Sequence, residues 1–308
     1  MGESNFLSSR GKMSGKIEQL GMGWLPDPPD SRDYTPEHEK IEPILKKAKV
    51  AEPTESLPVS VDLRAWCSPI ECQGQLGSCT AHAGVGLVEY FEMKASGNHI
   101  DASRRFLYKV TRNLMEENRD NGAYLRTTMK ALVLFGVPPE KYWPYEITNF
   151  NEEPTAFCYT FAQNYRTTNY YRLDPPDTPK NELLTRIKTN LVAGLPSMFG
   201  FTVYSSYTQA ATTGKIPYKT PGEKIVGGHA IVAVGYDDSM KIKNTNPGAV
   251  ETTGALLIRN SWGTEWGGSG YGWLPYEYVL HGLAIDWWSL IRMEWVDTGK
   301  FDEPLVRA

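Results

Sequence analysis

Two short apolar runs, "HAIVAVGY" (229–236) and "ALLIRNSW" (255–262), limit what this chain can fold into. Each is short and rich in apolar and β-branched side chains, and a polar connection carrying "NTNPG" (244–248) separates them. Such runs read as strands, and a turn-rich link lets them lie side by side. "WWSLIRMEWV" (287–296) reads as a final strand, and the glycine-rich "WGGSGYGWLP" (266–275) as loop. The first half of the chain has another period. After Cys79, Ala83, Leu87 and Phe91 recur every four residues with Val88 beside them, one face of a helix running to about Lys94 with Ser78 at its N-cap. "RTTMKALVLFG" (126–136) predicts a second helix closed by Gly136, and "EPILKKAK" (42–49) a short one with Pro43 in its first turn. Helices early and strands late imply an α+β fold, a helical lobe beside a sheet lobe.

At 308 residues the chain suffices for one large domain or two lobes sharing a cleft. Net charge is −4 with no long basic run, so nothing points to nucleic acid. No stretch of 18 apolar residues offers a membrane span. "MGESNFLSSRGKMSGKIEQL" lacks the apolar core of a secretory signal, and Phe6 stands where a myristoylation motif wants Ser or Thr. A cytoplasmic or unconventionally released protein is expected, or one whose signal has been removed. The cysteines at 67, 72, 79 and 158 show no C-x-x-C pair, and histidines are scarce, so a metal site is not expected and reduced thiols are. Residues 1–20 are polar, "GMGWLPDPPDSRDY" (21–34) reads as extended, "AEPTESLP" (51–58) as a linker, and globular composition begins at "VDLRAW" (61–66).

Cys79 sits in "QGQLGSCTAH" (73–82). A cysteine there is a buried small side chain, half of a disulfide, or a nucleophile. At a helix start the dipole favours the thiolate, the reactive form. Gly74 and Gly77 permit a sharp turn that can bring the Gln73 side chain back toward the Cys79 N–H, so that two donors converge as an oxyanion hole requires; the other reading of Gln73 is a solvated loop residue. A thiolate also needs a base. His82 shares the helix of Cys79 and leaves no cleft between them; His38 and His99 lie in polar segments. His229 opens a strand directly after Gly227 and Gly228, rigidly held and open to close backbone approach. Asn260 ends the next strand, where its amide oxygen can accept the imidazole N–H and fix the tautomer, and Trp262 can cover that bond.

These segments resemble the three blocks of the papain family of cysteine peptidases, in the family's chain order. "VDLR" (61–64) is similar to the family's mature start, "YWPYE" (142–146) to its mid-chain marker, and "NGA" (121–123) to the segment that binds extended substrate. The family signature places its histidine about 130–150 residues after the cysteine; here 229 − 79 = 150. The resemblance implies Cys79 as nucleophile, His229 as acid and base, Asn260 as its orienter and Gln73 as oxyanion donor. It implies substrate contacts at Gly77, Gly122, Ala123, Gly228 and Trp262, a peptide or protein substrate, and no metal or organic cofactor. It also implies a helical lobe mainly over 61–165 and an antiparallel sheet or barrel lobe mainly over 166–308, within a catalytic domain of 58–308. Leu76 replaces the signature's first cysteine, removing its usual disulfide; Thr80 and His82 replace aromatics; and the 31 residues from His229 to Asn260 are more than usual.

The leader, 1–57, resembles that of short-leader bacterial members. Stiffened by Pro26, Pro28 and Pro29, residues 21–34 are expected in or across the cleft, restraining the enzyme, with Trp24 or Leu25 in an apolar subsite. The other reading is a strap that braces a lobe from outside. Beside a Cys-His-Asn endopeptidase stand two further functions: an acyltransferase or isopeptide-processing enzyme on the same scaffold, and a catalytically silent peptide-binding module.

Overall fold

The computed structural model describes residues 20–50, 56–167 and 169–292. Residues 1–19 of the polar terminus, 51–55 of the expected linker and 293–296 of the last expected strand lie outside the described residues. Strands are β1 (Trp24–Leu25), β2 (Ser60–Asp62), β3 (Ala123–Tyr124), β4 (Asn169–Arg172), β5 (Ser197–Tyr204), β6 (Ile225–Lys243), β7 (Glu251–Arg259), β8 (Tyr271–Pro275) and β9 (Ala284–Ile291). Helices are α1 (Glu42–Lys47), α2 (Cys79–Ser96), α3 (Arg104–Leu114), α4 (Leu125–Leu134), α5 (Ala156–Ala162), α6 (Lys180–Val192), α7 (Ala210–Thr213) and α8 (Glu277–Leu280).

The two apolar runs pair as expected. β6 and β7 form an antiparallel hairpin from Val232↔Arg259 out to Lys243↔Glu251, with the polar link at its tip. β5 flanks β6 on the other side, and the sheet runs β4-β9-β5-β6-β7-β8, with β2 paired to the outer part of β6. The fold is α+β.

α2 packs against β6 with α3 and α4 on its other sides. The periodic residues Ala83, Leu87 and Phe91 mark only one face, yet the helix is buried nearly all round. Gly84 and Gly86 make this possible: a Cβ on Gly84 would press on Thr128 and Leu107, and one on Gly86 on Arg259. A helix apolar or small on every side belongs in a core. Gly97 closes it in the left-handed region.

Two features depart from the sequence reading. β8 lies inside the stretch expected to be loop, pairing Ile258↔Gly272 with β7. Its strand is hidden by glycine: Gly272 has none of the β-branched character of a strand, because the Gly214 carbonyl and Trp266 leave no room for a Cβ. A long helix, α6, also falls among the late strands, burying Leu183, Ile187 and Leu191 at four-residue spacing while Lys188 Nζ donates to Asp238 of β6 at 2.7 Å.

Candidate active site

Cys79 is the first residue of α2, so its N–H has no acceptor within the helix. Ser78 holds the N-cap position but does not cap; its hydroxyl bonds Tyr145 Oη (2.6 Å) and approaches His82 Nδ1 (3.3 Å). Cys79 is fully buried, and its Sγ accepts the Gly23 N–H of the leader at 3.4 Å and a bond from the Ala230 N–H of β6. Burial pushes the thiol up to about 11, against the lowering effect of the Ala230, Gly23 and Thr80 bonds. This corrects the expectation of a thiolate: the helix start favours the anion, but the covered site denies it water, and desolvation wins.

His229 lies on β6 opposite Phe201 of β5, next to Ala230. Its Nε2 is 2.9 Å from Asn260 Oδ1. That oxygen also accepts the Ser261 N–H at 2.8 Å, which orients the amide and makes Nε2 the donor. Nδ1, on the ring edge opposite that bond, is buried without a hydrogen-bond partner. The Trp262 ring stacks on the imidazole at 4.4 Å and 20°, sheltering the bond to Asn260. Burial lowers His229 to about 4, opposed by Asn260. His82 is buried against the Tyr145 edge and lowered to about 3 by burial and the Arg104 charge.

Gln73 is fully buried and clamped. Its Oε1 accepts the Ser261 hydroxyl at 2.6 Å, and its N–H donates to the Ser261 carbonyl at 2.9 Å. Nε2 donates to the Leu76 carbonyl at 2.8 Å and to the leader's Gly21 carbonyl at 2.9 Å. One amide hydrogen thus holds the turn, and the other reaches the leader's Gly21 carbonyl.

The leader lies across these groups. The Gly21 N–H donates to the Gly74 carbonyl (2.9 Å), and the Gly23 carbonyl accepts the Ala123 N–H (2.8 Å), where β1 runs parallel to β3. The approach is so close that side chains are excluded: a Cβ on Gly23 would lie 1.9 Å from the Gly77 carbonyl, and one on Gly122 2.1 Å from the Gly23 carbonyl. Met22 lies against Gly227. Trp24, and not Leu25, fills a buried slot over Gly200 and beside Gly228. Gly77, Gly122, Ala123 and Gly228 therefore all touch the leader, while Trp262 lies over His229.

Beyond Trp24 the leader enters a buried ion cluster that the sequence reading missed. Asp33 accepts both forks of Arg126 (2.7 and 2.6 Å), and Asp27 accepts the Arg126 N–H and Trp288 Nε1 (2.9 Å). Asp27 thereby supplies the side-chain cap that α4 lacks within its own sequence. Asp286 of β9 accepts Arg172 Nη2 (2.8 Å), the Asp27 N–H (2.8 Å) and Trp24 Nε1 (3.2 Å). Burial and then the Asp27 charge push Asp286 up to about 7. Its one sequence signal is a lone acid within the apolar run "AIDWWSLI" (284–291).

All four cysteines are unbridged. Among the described residues no group of three or more His, Cys, Asp or Glu side chains is placed to hold a metal ion, and no helix is long and apolar enough to cross a membrane.

A family model described as "Papain family cysteine protease" matches residues 57–281. An uncharacterized peptidase C1-like protein of Acanthamoeba polyphaga mimivirus is 33% identical over 281 residues, covering 87% of this chain and 86% of that protein. Cathepsin K of Gallus gallus is 29% identical over 223 residues, 70% of this chain and 58% of that protein. Among solved structures, xylellain, a cysteine protease from Xylella fastidiosa, is 32% identical with a TM-score of 0.71, covering 89% of this chain and 97% of that one.

Proposed function

The chain belongs to the papain family of cysteine proteases, hydrolases acting on peptide bonds, and we propose that it is an endopeptidase with Cys79 as nucleophile, held latent by its own leader. The observation that carries the catalytic reading is the polarity of His229. Nε2 is committed to Asn260, so Nδ1 is the lone pair left to take a proton, and the neighbouring Ala230 N–H reaches the thiol. With substrate in place, Nδ1 takes the Sγ proton and the sulfur attacks the scissile carbonyl. The oxyanion meets Gln73 Nε2 and the Cys79 N–H, two donors fixed before reaction. The imidazolium gives its proton to the leaving amine, and water then releases the acyl group. Asn260 orients the ring throughout.

Latency rests on the same atoms. The Gly21 carbonyl takes the Gln73 donor, the Gly23 N–H caps the sulfur, and Gly23 fills the gap between Gly77 and Gly122. Beneath this cover burial pushes the thiol up and the imidazole down, which favours the neutral form of each. Displacing residues 21–24 returns water to the sulfur, and the helix start then favours the thiolate. A thiol-directed epoxide tests the reading. It labels Cys79 and not Cys67, Cys72 or Cys158, and His229→Ala abolishes both labelling and cleavage. Label mapped mainly to another cysteine refutes the nucleophile.

A further inference from the structure

Two polar side chains behind the cleft take no part in the proton transfers, yet both bond the peptide groups that carry the proposed oxyanion donors. One is Tyr145 of "YWPYE" (142–146). The other is His82, which replaces an aromatic of the resembled family.

The Ser78 carbonyl and the Cys79 N–H belong to one planar peptide and point in opposite directions. Whatever fixes that carbonyl therefore aims that N–H. The carbonyl accepts the His82 backbone N–H at 3.1 Å, the ordinary helical bond, and His82 Nδ1 also at 3.1 Å. A carbonyl oxygen only accepts, so Nδ1 carries the imidazole hydrogen. Burial, with the Arg104 charge, keeps the ring neutral. Both lone pairs of the carbonyl are then engaged. Such bonds polarise the peptide and strengthen its N–H as a donor.

Tyr145 holds the other donor. Its Oη donates to the Gln73 carbonyl at 2.9 Å. That uses its one hydrogen, so Oη accepts the Ser78 hydroxyl at 2.6 Å. The Gln73 N–H donates to the Ser261 carbonyl at 2.9 Å, so both backbone groups of Gln73 are tied down. Tyr145 is itself anchored: its N–H donates to the Glu140 carboxylate, and its ring meets the His82 ring edge-on with centroids 5.0 Å apart.

We infer that His82 and Tyr145 are positioning residues of the oxyanion hole: His82 aims the Cys79 N–H through the Ser78 carbonyl, and Tyr145 ties the two ends of the 73–78 turn and so sets the spacing of the two donors. The inference rests on the reading that Cys79 is the nucleophile and Gln73 an oxyanion donor. Both residues act through another group, so their effect is confined to steps that develop an oxyanion.

The test uses the full-length chain carrying Trp24→Ala, which empties the slot that anchors the leader. His82→Phe keeps an aromatic ring and the helical bond but removes the second donor to Ser78. For a fluorogenic peptide kcat falls about tenfold, less than the roughly 10²-fold of a lost donor, while KM is unchanged. A peptide aldehyde, whose thiol adduct presents the same oxygen, binds about tenfold more weakly. Epoxide labelling of Cys79, which passes through no tetrahedral oxyanion, keeps its rate. His82→Asn restores most of kcat, because a helical asparagine can donate to the carbonyl four residues back, as Asn190 does to Arg186 at 2.8 Å. Tyr145→Phe gives the same split between kcat and labelling, and it decides alone should His82→Phe not fold. An unchanged kcat in either folded variant overturns the inference. So does labelling that falls in step with kcat, the mark of a merely loosened site, and so does a folded His82→Asn that fails to rescue. A Trp24→Ala parent that cleaves no peptide and leaves Cys79 unlabelled refutes the catalytic reading itself, and the inference with it.

Discussion

Trp24→Ala in the full-length chain separates a leader that gates the thiol from one that merely lies near it. Trp24 keeps only 7% of its exposure, so nearly all of an indole is removed from water when the leader docks. An aromatic side chain of this size buries about 150–250 Å². At about 25 cal/mol per Å² this is about 4–6 kcal/mol, an upper bound because the released leader is not fully extended. Truncations of buried tryptophan cost about 3–5 kcal/mol, and the lower figure suits a slot that opens to solvent on release. A loss of about 3 kcal/mol raises the open population roughly 10²-fold. The assay is the second-order rate of epoxide labelling at Cys79, mapped by peptide, alongside turnover of a small fluorogenic peptide. Both rise about 10²-fold, until the open form dominates. Val250→Ala, at a side chain 80% exposed, leaves both unchanged. A folded Trp24→Ala protein that labels at the wild-type rate refutes the gate, because it shows that Cys79 becomes accessible without the indole leaving its slot.

In the Trp24→Ala chain, adding Gln73→Ala lowers kcat about 10²-fold, the loss of one oxyanion donor; full turnover with peptide substrate removes Gln73 from that role. Asp33→Ala leaves Arg126 buried without its fork partner and costs about 3–5 kcal/mol, read as a melting temperature several degrees lower; an unchanged transition contradicts it. The leader's hold weakens as pH rises toward neutrality. Asp286 has a pKa of about 7 when covered and a lower one when the leader's burial and the Asp27 charge are gone, so docking takes up a proton. That stabilisation is present in acid, is lost as pH rises to about 7 and is flat above it. The ratio of wild-type to Trp24→Ala labelling, which cancels the thiol's own titration, should climb over this range; a falling ratio has the sign wrong.

The residues proposed for catalysis were legible because each carries a local signature: a cysteine opening a periodic helix, a histidine behind paired glycines, an asparagine at the end of a β-branched run. Strand pairing then needed only the hairpin between β6 and β7 to bring Asn260 Oδ1 to His229 Nε2. What stayed hidden depends on contacts remote in sequence. The Cys79 thiol is raised by burial, which outweighs the lowering bonds from Ala230, from Gly23 56 residues earlier and from Thr80, so its helix start alone does not decide its ionisation. β8 escaped notice because close backbone approach demands glycine where a strand normally shows β-branched residues. Asp286 is visible as a lone acid in an apolar strand, but its aim follows from a bulge and a positive φ that no pattern of residues announces.

The proposed latency and a bracing role are not rival descriptions of the leader, because different residues make the contacts on which each rests. Gly21, Gly23 and Trp24 touch the groups proposed for catalysis and the side-chain slot. Asp27 and Asp33, a few residues on, cap α4 and neutralise Arg126, with Arg172 Nη1 3.6 Å from Asp33. Removing residues 1–57 therefore uncovers the thiol and also leaves a buried guanidinium without its carboxylate and a helix without its cap. The two losses have opposite readouts: faster cleavage from the first, and a lower melting temperature from the second. A deletion showing both is the expected result and assigns neither effect to a residue. The point variants do so: Trp24→Ala acts mainly on accessibility, and Asp33→Ala mainly on stability. If instead Asp33→Ala unmasked Cys79 as strongly as Trp24→Ala, the strap would dock as one cooperative unit, and the division between its two halves would be wrong.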